Sequence, residues 1–227
     1  MSDNFNNNGF PADYQADDIE IIRAVEPYTM TGNERIVALT GAVRHLVNNG
    51  IPGDFVECGV WKGGSVMAMA LTLLQLQNQD RALYLFDTFS GMTAPGDRDV
   101  DYLGRPASSI FEEVRYAVSL EEVEQAVYST GYNRDMIHFV KGPVEETIPA
   151  HAPGMIALLR LDTDWYQSTR HELVHLFPRL APGGVIIIDD YGHWHGARQA
   201  VDEYLAQHQV SLLLHRIDYT GRIGVKS

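Results

Sequence analysis

The chain has a single cysteine, Cys58, which excludes an internal disulfide and a cysteine-based zinc site. Cys58 lies inside the apolar run DFVECGV, where a small buried thiol is expected rather than a reactive nucleophile. Positive charge is also scarce: 17 lysines and arginines stand against 30 aspartates and glutamates, a formal net charge of −13. That balance argues against a nucleic-acid backbone or an anionic membrane as partner. Lysine is nearly missing, with only Lys62, Lys141 and Lys226, so lysine-based catalysis has few candidates. No uninterrupted apolar stretch approaches the roughly 20 residues that a membrane span needs. The start, MSDNFNNNGFPADYQADD, lacks the basic beginning and apolar core of a signal peptide. These absences point to a soluble, cytoplasmic protein with neither nucleic acid nor membrane as partner.

What is present has an ordinary globular composition, with 227 residues of which 45% are hydrophobic. The length suits one large α/β domain and is marginal for two. The Asn/Asp-rich first ~15 residues read as disordered, or ordered only against a partner. A helix is expected from near Asn33, within GNERIVALTGAVRHLVNN, because Ile36, Leu39, Val43, Leu46 and Val47 recur at helical spacing. GIPGD, from Gly50 to Asp54, ends it. Residues 1–50 are therefore expected to be an N-terminal helical extension of the same unit as residues 51–227.

From there strands and helices alternate. DFVEC, ALYLFD, MIHFVKG, MIALLRLD and GVIIIDD read as strands, while SVMAMALTLLQLQ, LEEVEQAVYSTG, STRHELVHLFPRL and GARQAVDEYLAQH read as helices. Right-handed crossovers and a parallel sheet follow, and strands that are apolar throughout fit a sheet covered on both faces. SLLLHRIDYTGRIGVKS closes the chain as two strands joined by a turn, which adds an antiparallel strand. The fold class expected is α/β, a Rossmann-like doubly wound sheet.

Ligands of open α/β sheets bind beyond the carboxyl ends of the strands. The first such end is FVECGVWKGGS, Phe55 to Ser65, with Glu57 near the strand end, Gly59 after it, and Gly63 and Gly64 before a helix. The next strand closes on Asp87, where a carboxylate can bind the two hydroxyls of a ribose. Together these favour an adenosine ligand, without separating NAD, ATP and S-adenosylmethionine.

A second cluster lies at two later strand ends. LLRLDTDWY stops on Asp162 and Asp164, which point the same way if the strand continues through them. GGVIIIDDYG stops on Asp189 and Asp190, and a single helix between the two strands suggests that they are neighbours. Four carboxylates so close cannot all be ionised without a cation, and oxygen ligands suit Mg²⁺ first, then Mn²⁺ or Ca²⁺. Asp164 also stands where it could cap the following helix. DYGHWHG adds His193 and His195, which are expected to face substrate or solvent. The long loop from Ser90 to Ile110 reads as a lid, with Tyr102 and Arg105 as residues that cover substrate.

The stretches PYTMTGNERI, GDFVECGVWKGGS, LYLFDTFSGM, RLDTDWYQST and LAPGGVIIIDDYGHWHGARQAVDEY resemble the macrocin O-methyltransferase family. The resemblance runs in order from about Pro27 to about Tyr204. It implies a seven-stranded methyltransferase sheet with the last strand antiparallel, and S-adenosylmethionine as cofactor. Glu57, Gly59, Val60, Gly63, Gly64 and Ser65 would hold the cofactor's methionine end, and Asp87 its ribose. Asp162, Asp189 and Asp190 would bind Mg²⁺, with Asp164 as the general base. The acceptor implied is a small molecule with a sugar hydroxyl, a vicinal diol being the natural chelate, and a homo-oligomer is expected. A catechol acceptor satisfies the same geometry. A nucleotide-sugar-dependent glycosyltransferase shares the D-x-D pattern but leaves the glycine turn and Asp87 unexplained.

Overall fold

Most apolar runs of the sequence become buried elements in the computed structural model, which describes residues 9–227. The strands are β1 (Asp54–Cys58), β2 (Leu83–Asp87), β3 (Ile137–Lys141), β4 (Ile156–Leu161), β5 (Leu180–Ile188), β6 (His215–Arg216) and β7 (Arg222–Val225). The helices are α1 (Ala16–Val25), α2 (Asn33–Asn48), α3 (Gly64–Gln75), α4 (Phe111–Val114), α5 (Leu120–Tyr128), α6 (Val144–Thr147), α7 (Tyr166–Leu176) and α8 (His195–Gln207).

The strands form one seven-stranded sheet in the order β3-β2-β1-β4-β5-β7-β6. β1 to β5 are parallel, and β7 runs antiparallel to both β5 and β6. The order reverses between β1 and β4, so a crevice opens at their carboxyl ends, where ligands of such sheets bind. One sheet face packs Phe55, Leu85, Leu158 and Ile187 against α1, α2, α3 and α5. The opposite face packs Val56, Phe86, Leu159 and Ile186 against α7 and α8. Coverage on both sides is why the strands are apolar throughout rather than alternating. All six residues of β4 are buried, Arg160 among them.

Two expectations change. Phe10 and Tyr14 pack against the core, and α1 follows at once, so order begins well before Asn33; the rest of the expected disorder lies outside the described residues. α1 has a helical pattern of its own, with buried Asp18, Ile21, Ile22 and Val25 at i, i+3, i+4 and i+7 and an acidic first turn. Tertiary contacts hold it as well: buried Asp18 accepts hydrogen bonds from Thr40 Oγ1 and Arg44 Nη1, both at 2.6 Å. At the other end, SLLL is not a strand. Leu212 and Leu214 pack against the lower core, leaving β6 only two residues long. Among the described residues no helix is long and apolar enough to cross a membrane.

Candidate active site

The crevice holds a cavity of ~430 Å³ lined by the ends of β1, β2, β4 and β5. At its first corner Asp87 binds backbone. Its Oδ2 accepts from Val60 N at 2.7 Å and Trp61 N at 3.2 Å, and its Oδ1 from Phe89 N at 2.8 Å. Those bonds tie the turn after β1 to the end of β2. Gly59 (φ 82°) sits where a Cβ would collide with the Asp162 carbonyl, and Gly64 where one would meet Tyr28 and Thr29. The protein's own backbone therefore requires these glycines, whatever the ligand. Gly59, Val60, Gly64 and Ser65 line the cavity; Gly63 does not, being packed against Val127.

The acidic corner has a neutraliser that spacing alone did not reveal. β4 places Arg160 in register with Glu57 on β1 and Ile187 on β5. Side chains of that register share a face, with Asp162 and Asp189 one pleat further on. Arg160 is only 2% exposed. Its Nη1 donates to Glu57 Oε1 and, at 2.7 Å, to Asp162 Oδ2; its Nη2 donates to Asp189 Oδ1 at 2.6 Å and Thr31 Oγ1 at 3.2 Å. Arg35, from α2, pairs with Asp189 Oδ2 and, at 3.0 Å, with Asp218. One guanidinium thus bridges both corners of the cavity.

Two guanidiniums still leave an excess of carboxylate. Glu57 Oε2 is buried without a hydrogen-bond partner, and burial pushes this carboxyl up to about 8 against the pull of Arg160. One oxygen each from Asp162, Asp189 and Asp190 lie within 4.8 Å of one another. Burial, then the charges of Asp164, Asp162 and Asp189, push Asp190 well above the usual carboxylate range. Asp162 is raised to about 6, by burial first. Three hard oxygen donors with surplus negative charge are a donor set that fits a divalent ion such as Mg²⁺. The orphaned Glu57 oxygen fits a cationic group such as an ammonium.

Asp164 does not point along the strand with Asp162. β4 ends at Leu161, and Asp164 adopts a left-handed conformation (φ 64°), tolerated by aspartate at a cost of about 1 kcal/mol. Its Oδ1 accepts from Trp194 Nε1 at 2.6 Å, and its N–H donates to Asp190 Oδ2 at 3.2 Å. Burial, then the Asp162 charge, raises its carboxyl to about 7. Nor does Asp164 cap α7. Asp99, from the long loop, accepts instead from Tyr166 N at 2.8 Å. Beneath the turn, buried Glu172 holds Thr163 Oγ1 at 3.0 Å, and burial pushes its carboxyl well up.

The loop expected as a lid is a fastened wall. Trp165 Nε1 donates to Thr93 O at 2.8 Å, Asp99 joins α7, and fully buried Asp101 bridges to Trp194. Arg105 turns back to Asp101 (2.6 Å) and does not line the cavity. His195 is exposed as the first residue of α8 and is also outside the lining, because Trp194 takes the inward position. His193 lines the cavity, and exposed Tyr102 leans on its ring at 5.3 Å. Arg160 was legible as a lone charge inside ALLRLD. Arg35 and Thr31 carry no local signal, since they reach the site from before β1, whereas Trp194 and Glu172 lie close in sequence to Asp190 and Thr163 but owe their contacts to the fold.

A family model described as macrocin-O-methyltransferase (TylF) matches residues 14–223. The chain is 35% identical over 201 residues to an 8-demethyl-8-(2,3-dimethoxy-α-L-rhamnosyl)-tetracenomycin-C 4′-O-methyltransferase of Streptomyces olivaceus, covering 86% of this chain and 74% of that one. It is 33% identical over 195 residues to a mycinamicin III 3″-O-methyltransferase of Micromonospora griseorubida, covering 86% and 76%. The solved structure of the O-methyltransferase NovP superposes with a TM-score of 0.81 at 30% identity, over 96% of this chain and 85% of that one.

Proposed function

This chain belongs to the macrocin-O-methyltransferase family, an S-adenosylmethionine-dependent O-methyltransferase by that membership, and we propose that it methylates a sugar hydroxyl of a glycosylated small molecule with the help of Mg²⁺. The observation that carries this reading is the joining of two unlike corners by Arg160, Glu57 on one side and the three clustered aspartates on the other. When bound, the cofactor supplies a methyl group on a sulfonium, and Mg²⁺ supplies Lewis-acid polarisation of the acceptor hydroxyl.

The chain's own residues do the rest. Glu57 Oε2 would accept from the cofactor's ammonium, and Asp87 would hold the first turn at the ribose-side corner. Asp162, Asp189 and Asp190 would hold the ion. Asp164, on the cavity wall and linked through its N–H to Asp190, would take the hydroxyl proton. Trp194 fixes the direction of that carboxylate. Arg160 keeps the corners at a set separation, which an in-line transfer demands.

The test is a methyl-transfer screen, read by mass spectrometry, of glycosides and catechols with S-adenosylmethionine, with and without EDTA. Transfer to a glycoside that stops in EDTA and returns with Mg²⁺ is expected. Undiminished transfer in EDTA rejects the metal role, and transfer to catechols alone rejects the sugar acceptor.

A further inference from the structure

Three aromatic rings crowd the mouth of the cavity with no part in the reaction proposed above. Tyr102 and Tyr219 are 52% and 54% exposed, and their rings meet edge to face at 6.0 Å. Each also meets the His193 ring, at 5.3 Å and 6.0 Å. Exposed tyrosines on loose loops would be unremarkable, but these stand on fixed backbone. Tyr102 follows fully buried Asp101, whose backbone bridges to Trp194. The Tyr219 carbonyl is packed against Gly192 where a Cβ would have no room, and Tyr219 Oη lies 3.1 Å from His193 Nδ1. His193 N donates to Asp190 O at 3.0 Å, and both His193 and Tyr219 line the cavity, so the rings continue directly from the acidic corner. A rigid, water-exposed aromatic face beside a polar site gains most from a ligand ring that stacks on it.

Charge selects the occupant. Among the described residues lining the cavity the guanidiniums are Arg35 and Arg160, and both are held by carboxylates. Arg105, beside Tyr102, is held by Asp101. With a formal net charge of −13 besides, this mouth is poorly suited to a diphosphate and well suited to an uncharged ring. We propose that Tyr102, His193 and Tyr219 form a stacking subsite for a neutral aromatic aglycone, the part of the acceptor that emerges from the cavity when a sugar hydroxyl reaches Asp164. The subsite rests on the sugar-methylating reading for its orientation, and it selects among glycosides by what the sugar carries.

A matched pair of probes tests it: naphthyl and methyl glycosides of the same vicinal-diol sugar, titrated calorimetrically into the full chain with S-adenosylhomocysteine and Mg²⁺. The naphthyl glycoside is expected to bind about tenfold more tightly. Tyr102→Ala and Tyr219→Ala should each remove most of that preference, while Tyr102→Phe and Tyr219→Phe should keep it, because the ring and not the hydroxyl stacks. Equal affinity for the two glycosides, binding of neither, or a preference that survives both alanine substitutions overturns the subsite. So does a UDP-sugar that binds more tightly than the naphthyl glycoside. Methyl transfer followed in parallel with S-adenosylmethionine keeps the two readings apart. A ring-dependent preference without transfer supports the subsite and rejects the proposed reaction.

Discussion

Asp87, at the end of β2, accepts three backbone N–H groups, whereas at the ends of β4 and β5 Asp162 and Asp189 share Arg160, Asp189 also takes Arg35, and Asp190 accepts from the Asp164 N–H. Both corners carry carboxylates at strand ends, yet only one is complete. Backbone dipoles satisfy an anion without adding charge, so Asp87 needs no guanidinium and holds the turn that lines the first corner. Two guanidiniums facing Asp162, Asp164, Asp189 and Asp190, one of them shared with Glu57 of the other corner, leave an excess of carboxylate, and burial amplifies the repulsion. On the function proposed above, the cofactor would sit at the first corner, with Glu57, and a divalent cation at the second.

The largest effect that would sharpen this contrast is on turnover. Asp189→Asn is expected to lower kcat by about a thousandfold or more. S-adenosylhomocysteine affinity, measured by calorimetry, should change by less than about threefold. Asp87→Ala should do the reverse, weakening S-adenosylhomocysteine binding by about 10- to 100-fold and lowering Tm, since its three N–H donors lose their acceptor. Matching losses of affinity in both variants would erase the distinction between the corners.

A smaller effect concerns stability. The raised carboxyls of Asp162, Asp164 and Asp190 favour the protonated form in the fold, so the metal-free protein should lose stability as pH rises through their folded values. Mg²⁺ should therefore raise Tm more at pH 8 than at pH 6, these two values being chosen to lie on either side of about 7, to which Asp164 is raised. Asp190→Asn should stabilise the EDTA-treated protein and blunt the response to Mg²⁺. A Tm gain from Mg²⁺ that is independent of pH would count against the repulsion account.

The smallest effect is at Glu172, which lies outside the cavity lining and holds Thr163 from behind. Its buried carboxyl is raised, so its contribution is fully present below the unfolded value and falls as pH rises through the folded one. Glu172→Gln should flatten the decline of Tm toward alkaline pH while leaving kcat within about twofold. An unchanged pH slope would show that Glu172 is ionised in the fold.

Much of the architecture was legible because it rests on patterns that sequence carries directly. Apolar runs such as DFVEC and GVIIIDD, too short for helices and bounded by glycine, read as strands covered on both faces, and the helices between them imply parallel crossovers. The placing of Asp162 near Asp189 and Asp190 followed from two adjacent strands ending together. The direction of Asp164 did not follow, because a left-handed residue breaks the alternation on which the inference stood. His195 and Arg105 were placed by proximity in sequence, and buried neighbours, Trp194 and Asp101, took the inward positions.

Local periodicity and residue chemistry by themselves determined the strands, the main helices, the glycine turn and the acidic strand ends, since each depends on neighbours within a few residues. The folded arrangement alone decided what answers those acids. Arg160 acts through register with Glu57 across a strand pair, Arg35 and Thr31 arrive from before β1, and Asp99 caps a helix 67 positions away in the chain. Buried charge is settled by whichever opposite charge or dipole the packing brings within about 3 Å, and that distance is a property of the fold.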